Sequence, residues 1–69
     1  MTRKHFEQVA EIIRRRAEQD SQEFGNQYHG IIAEFADDFV RLFKQSNPRF
    51  NVAKFYEACG MDEDGCWVI

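Results

Sequence analysis

The sequence predicts an all-α fold: a small three-helix domain with two longer helices, a short third helix and a C-terminal tail. Apolar residues recur every three or four positions over two long stretches, which is the spacing of one helix face. A third, shorter stretch at 47–60 carries both a helix start signal and a helix stop signal. We expect one domain over residues 1–69, with helix one at about 3–18, helix two at about 21–45, helix three at about 52–59 and a tail at 61–69.

Helix one is predicted from five apolar residues at helical spacing, preceded by Thr2 as a candidate N-cap. These five residues are Phe6, Val9, Ala10, Ile13 and Ala17. Glu11 precedes Arg15 by four positions, the favourable order for an ion pair on a helix. The run 14–16 consists of three arginines and suits a solvated helix end better than a phosphate site.

Helix two is predicted from the longest periodic segment, which extends from Phe24 to Leu42. The residues 20–23 have the form of a capping box and place its start at about Ser21. Gly25 disfavours this start, because a glycine inside a helix costs about 1 kcal/mol. The alternative is that helix one continues to Phe24 and that a turn follows at Gly25 and Asn26. A second glycine, Gly30, is expected to allow close packing against another helix.

Helix three has the most complete local signals. Pro48 ends the preceding helix, Asn51 is a good N-cap, and Gly60 is suited to the left-handed C-terminal position. Phe50 and Phe55 have the spacing of a hydrophobic staple. We expect the core to consist of Phe6, Val9, Ile13, Ile32, Phe35, Phe39, Phe43, Phe50 and Phe55.

The tail places the acidic residues 62–64 ahead of Cys66, Trp67, Val68 and Ile69. Apolar residues are unfavourable at a free terminus, so we expect the last three to fold back onto the helices or to meet a partner. The acidic residues resemble part of a calcium loop, but its ligand spacing and its terminal glutamate are missing. An exposed turn is therefore the prediction.

The segment NPRF at 47–50, followed by a short helix that ends in Phe-x-x-x-Cys-Gly, resembles the C-terminus of small helical proteins encoded by phages and prophages. The opening MTRKHFEQVAEII at 1–13 is similar to the start of those proteins. The middle of the chain lies outside the resemblance, and Asn51, Lys54 and Tyr56 depart from the Asp cap and Arg-rich positions of the pattern. The resemblance carries no active site, and it implies a host bacterium's cytoplasm as the location.

Charge and composition narrow the classes of partner. The net charge is −3. Basic residues concentrate in 1–16 and 39–54 and acidic residues in 17–38 and 55–69, which is typical of complementary surfaces within one fold or in a homodimer. The pattern argues against direct nucleic-acid binding, which requires a continuous basic surface. No run approaches the ~20 apolar residues of a membrane span, so we expect a cytoplasmic protein with two reduced cysteines.

The sequence gives no pattern for catalysis, a cofactor or a metal. Phosphate-loop, nucleophile-elbow and His-Glu-x-x-His motifs are missing. Two histidines and two cysteines, His5, His29, Cys59 and Cys66, lack the pair spacing of zinc ligands. Cys59 lies on the apolar face of helix three, where a small buried side chain is the default. We therefore expect a protein that is not an enzyme.

Four residues are predicted to bind a partner protein. Glu34, Asp37 and Asp38 form an acidic cluster in which Asp37 is expected to pair with Arg41, and Trp67 offers an aromatic anchor. Because no chemistry is visible and the aromatic residues outnumber what three helices need, we expect stoichiometric binding to a host or phage protein. The phage resemblance implies a host-directed role, either an inhibitor of a host defence complex in the manner of an anti-CRISPR protein or an accessory regulator. The alternative is a small DNA-binding or transcription accessory regulator of helix-turn-helix type.

Overall fold

The computed structural model describes residues 3–69, with side chains from Lys4 onward, and confirms the all-α fold. The helices are α1 (Arg3–Glu23), α2 (His29–Ser46) and α3 (Val52–Cys59), and α1 packs against both of the others. Residues 3–69 contain no β-strand beyond one isolated antiparallel bridge between Met61 and Trp67. No helix in this range is long and apolar enough to cross a membrane. The Thr2 cap lies outside the described residues.

The predicted boundary between the first two helices is wrong, and the alternative boundary is the correct one. α1 continues through the capping-box residues to Glu23, and the turn contains Gly25 and Asn26 with φ of 59° and 69°. Asp20 does not cap a helix that begins at Ser21. Its carboxylate instead accepts the backbone N–H of Tyr28 at 3.0 Å, immediately before α2. A side chain at the end of α1 therefore satisfies a backbone donor at the start of α2.

The signals around α3 are confirmed by its geometry. Asn51 Oδ1 accepts the backbone N–H of Lys54 at 3.1 Å, and Gly60 has a left-handed φ of 93°. The rings of Phe50 and Phe55 lie 5.6 Å apart, as a hydrophobic staple requires. The α3 bounds agree with the predicted range of about 52–59.

The core is centred on Phe43, which is fully buried. Its ring lies 4.6 Å from that of Phe6, 5.3 Å from that of Phe50 and 5.5 Å from that of Phe55. The nine-residue core prediction is confirmed in part. Ile13, Phe43, Phe50 and Phe55 are buried, and Phe6, Val9 and Ile32 are partly buried against them.

Phe35 and Phe39 were expected in this core, and that expectation is wrong. Their exposed fractions are 58% and 36%. The reason is geometric: α1 and α3 cover the side of α2 that carries Ala36 and Phe43, and the side chains of Phe35 and Phe39 lie beside that side, at the edge of the helix contact. Gly30 also departs from expectation, because no atom beyond its chain neighbours and its own helix backbone lies within 4 Å of the position that a Cβ would take.

The tail folds back onto the helices through Trp67. Its indole N–H donates to the backbone oxygen of His29 at 2.9 Å, and the two rings lie 5.0 Å apart. The acidic residues form a turn, in which Asp62 Oδ1 accepts the backbone N–H of Asp64 and of Cys66, each at 2.9 Å. Val68 remains 67% exposed.

Candidate protein-interaction surface

Seven large apolar side chains lie exposed on α1, on α2 and in the turn between them. We call them the apolar face: Ile12, Phe24, Tyr28, Ile31, Phe35, Phe39 and Leu42. Their exposed fractions range from 36% at Phe39 to 58% at Phe35. Five of the seven also line a groove of about 450 Å³ between α1 and α2, together with Arg16 and Gln19. The face is thus one surface rather than a set of scattered residues.

The apolar face exists because α2 is apolar around more than half of its circumference. His29, Ala36 and Phe43 recur every seven residues and are buried against the other helices. Tyr28, Phe35 and Leu42 recur with the same interval one position earlier, and a shift of one residue turns a helix by about 100°. The two other helices cover only one of these stripes. The second stripe is left in contact with solvent.

The area of the apolar face is large for so small a protein. Large side chains of this kind offer about 150–250 Å² each, so the exposed fractions correspond to roughly 600 Å² of apolar surface. Monomeric proteins typically expose a largest apolar patch of about 300–600 Å², and patches at the upper end are commonly binding sites.

One edge of the apolar face is acidic. Glu34 and Asp38 lie on this edge, and Asp37 lies farther around α2, beside Tyr56 of α3. We call these three residues the acidic margin; all three side chains are exposed. The predicted Asp37–Arg41 pair is wrong, because Arg41 Nη1 approaches Asp38 Oδ1 at 3.5 Å. Asp37 Oδ1 instead accepts the hydroxyl of Tyr56 at 2.8 Å. Burial, and then the bond to Asp37, raise the pKa of Tyr56 to about 12, which keeps this hydroxyl a donor.

The opposite edge of the apolar face carries Arg16. The ion pairs of α1 engage its two neighbours: Arg14 with Glu18 at 2.9 Å and Arg15 with Glu11 at 2.6 Å, the latter as predicted. Arg16 donates to the neutral Gln19 at 3.2 Å. Among the residues that the structure describes, neither Arg16 nor Glu34 of the acidic margin forms an ion pair. Each edge of the apolar face thus carries one charge without an ion-pair partner: a positive charge at Arg16 and a negative charge at Glu34.

Trp67 contacts the start of α2 through its ring and its indole N–H. The prediction grouped it with the acidic margin as a partner-binding anchor, but the tail places it half-buried against His29, at the start of α2. Its indole N–H is already used within the chain. The structure places Glu34, Asp37 and Asp38 on adjacent turns of α2 and holds Trp67 against His29 at the start of that helix.

A buried pair of polar residues, which sequence reasoning missed, fixes how α2 leaves α1. Asp20 and His29 are 2% and 8% exposed, and His29 Nδ1 donates to Asp20 Oδ2. Both carboxylate oxygens also accept the N–H of Tyr28 at 3.0 Å. The two residues are nine positions apart across a turn, which matches no local helix motif. By fixing the first turn of α2, they help to orient Tyr28 and the rest of the apolar face.

Ser21 lies beside this pair in an order that resembles a Ser-His-Asp triad. Its hydroxyl donates to Asn26 Oδ1 at 2.6 Å, and its oxygen is 3.5 Å from His29 Nε2. A nucleophilic serine must donate its proton to the histidine, whereas this proton is directed at Asn26. The arrangement therefore acts as a structural clamp between two helices.

The remaining candidates for chemistry are the two cysteines, which are free thiols. Cys59 is buried, and burial raises the pKa of its thiol to about 12. At neutral pH it is a protonated, inert core residue. Cys66 is exposed on the tail. The described residues contain no cluster of three or more potential metal ligands.

A second cleft, of about 690 Å³, lies between α1 and α3. Its floor is aromatic, and its rim carries Arg49 and Lys54 together with Glu7 and Glu57. Alternating signs of this kind do not form the continuous basic surface that a recognition helix presents to DNA.

Comparison with known proteins gives no match. No family model fits the chain, and no curated protein or solved structure is significantly similar to it.

Proposed function

We propose that this protein acts stoichiometrically, by binding other protein chains through the surface formed by its apolar face and acidic margin, with the target bound at the acidic margin. The observation that carries the proposal is the roughly 600 Å² of apolar side chains that a 69-residue chain leaves in water. Exposing this area is unfavourable in an isolated protein. Binding a protein surface removes this area from water, and the free energy gained contributes to the affinity.

The acidic margin supports a partner with basic residues. Glu34 and Asp38 border the apolar face, and all three carboxylates are exposed. A basic surface beside an apolar contact would gain both association rate and specificity from them. The resemblance of residues 47–60 to phage proteins supports a host protein as target. In its finer form, the proposal is an inhibitor of a nucleic-acid-binding defence complex whose basic channel meets the acidic margin.

The test compares two variants with the same change of charge. Asp37→Lys/Asp38→Lys reverses two charges of the acidic margin, and Glu63→Lys/Asp64→Lys reverses two on the tail turn. Tagged proteins are incubated with lysate of the host bacterium, and bound protein is quantified per copy of bait. We expect near-equimolar capture by wild type, at least a tenfold loss with the first variant, and retention with the control.

Both variants are expected to keep nearly the wild-type melting temperature, since the interactions lost at Asp37 and Asp38 are exposed. Equal capture by the wild type and both variants would contradict the role of the acidic margin. Tight, strongly salt-dependent binding of the purified protein to duplex DNA would instead favour the helix-turn-helix alternative.

A further inference from the structure

We infer that the apolar face is covered by a second copy of this chain, in a two-fold symmetric dimer whose two α2 helices run parallel. The inference rests on the proposed function, because it names the protein that occupies the apolar part of that surface. The acidic margin then remains for the target at Asp37, which lies about 160° around α2 from Phe35.

The area of the face meets the need of a complete homodimer interface. A standard interface buries about 800 Å² per partner, of which roughly 60% is apolar. The apolar face supplies roughly 600 Å² from its seven side chains. Phe35 is the most exposed of them and lies midway between Tyr28 and Leu42 in sequence. A two-fold dimer buries the same patch twice, so one face provides both halves of the interface.

The charges on the two edges decide the orientation of the copies. If the two-fold axis runs along α2, the helices are parallel and each edge of one face meets the opposite edge of the other. Glu34 then faces Arg16 of the second copy. If the axis is perpendicular to α2, like edges meet, and the acidic margins of the two copies repel each other. The parallel arrangement is therefore favoured.

The positions of Arg16 and Glu34 along the helix axes also suit this pairing. Asp20 of α1 contacts His29 of α2, and Phe6 contacts Phe43, so the two helices are antiparallel. By interpolation between these contacts, Arg16 lies level with residue 33, one position from Glu34. Rotation about a two-fold axis parallel to α2 leaves the position of a residue along the helix axis unchanged, so Glu34 lies within one residue of Arg16 of the second copy.

Sedimentation equilibrium of the full chain tests the dimer. We expect wild type to dimerise with a dissociation constant in the micromolar range or tighter. Phe35→Glu should raise that constant at least 100-fold, because the substitution places two charges at the centre of the interface. Val68→Glu is the matched control: Val68 is 67% exposed but lies on the tail, so its substitution should leave the constant unchanged. Circular dichroism of each variant verifies folding.

A charge swap tests the orientation. Glu34→Arg and Arg16→Glu should each weaken the dimer about three- to tenfold, and the double variant should restore most of the loss. Dimer strengthening by Glu34→Arg alone would overturn the parallel arrangement, because it would mean that like edges meet.

Two results would overturn the dimer itself: a monomeric wild type up to roughly 500 µM, well above the micromolar range, or a dimer that Phe35→Glu leaves intact. The first result, together with partner capture that depends on the acidic margin, would leave the proposed function standing. A dimer sensitive to Phe35→Glu, with no capture that depends on Asp37 and Asp38, would support the inference and refute the proposed target contact.

Discussion

Removal of the Asp20 carboxylate tests the clamp that joins α1 to α2. In Asp20→Ala, the part-buried Tyr28 N–H and the buried His29 ring N–H both lose their acceptor. Each buried donor left unpaired costs about 1–3 kcal/mol, and partial access of water to the turn reduces the total, so we expect a loss of about 2–4 kcal/mol. Asp20→Asn keeps a neutral acceptor for one donor and should lose about 1–2 kcal/mol.

Urea unfolding, followed by Trp67 fluorescence, measures these losses, since Trp67 contacts His29 directly. Protein concentration is held constant, because self-association would shift the apparent stability. Glu18→Ala is the control: it removes an exposed ion pair with Arg14 and should change stability by about 0.5 kcal/mol or less. If Asp20→Ala matched this control, the clamp would not contribute to stability and the reasoning would be refuted.

Three further predictions concern the core, the thiols and the tail. Phe55→Ala should destabilise by about 3–5 kcal/mol and Asn51→Ala by about 1 kcal/mol, and a Phe55→Ala melt like that of wild type would exclude the staple from the core. A thiol reagent at pH 8 should modify exposed Cys66 rapidly and buried Cys59, with its pKa of about 12, only at the rate of unfolding; two equally fast thiols would contradict this. Emission from Trp67 should lie to the blue of free indole, and emission like that of free indole would mean a loose tail.

Local signals in the sequence determined α3 and its caps. The bond from the Lys54 N–H to Asn51, the left-handed Gly60 and the Phe50–Phe55 staple each involve residues within a few positions of one another. The free energy of such contacts depends little on the rest of the chain, so sequence alone was sufficient for them.

Contacts between distant residues decided the α1–α2 boundary. The capping-box pattern at 20–23 is genuine in the sequence, but Asp20 satisfies Tyr28 and His29 across the turn instead of a donor in its own segment. A local cap and a tertiary clamp require the same residue type. Only the packing of the two helices selects between them.

The interaction surface also has one part that the local sequence determined and one part that tertiary packing decided. The sequence placed Glu34, Asp37 and Asp38 together, because neighbours on one helix turn share a region of its surface whatever the fold. It could not decide which aromatic residues of α2 are buried, since apolar residues cover more than half of the helix circumference. Periodicity identifies an apolar stripe but not which part of it a neighbouring helix covers. The positions of α1 and α3 left Phe35 and Phe39 in solvent and drew Trp67 onto His29, and so tertiary packing created the apolar face.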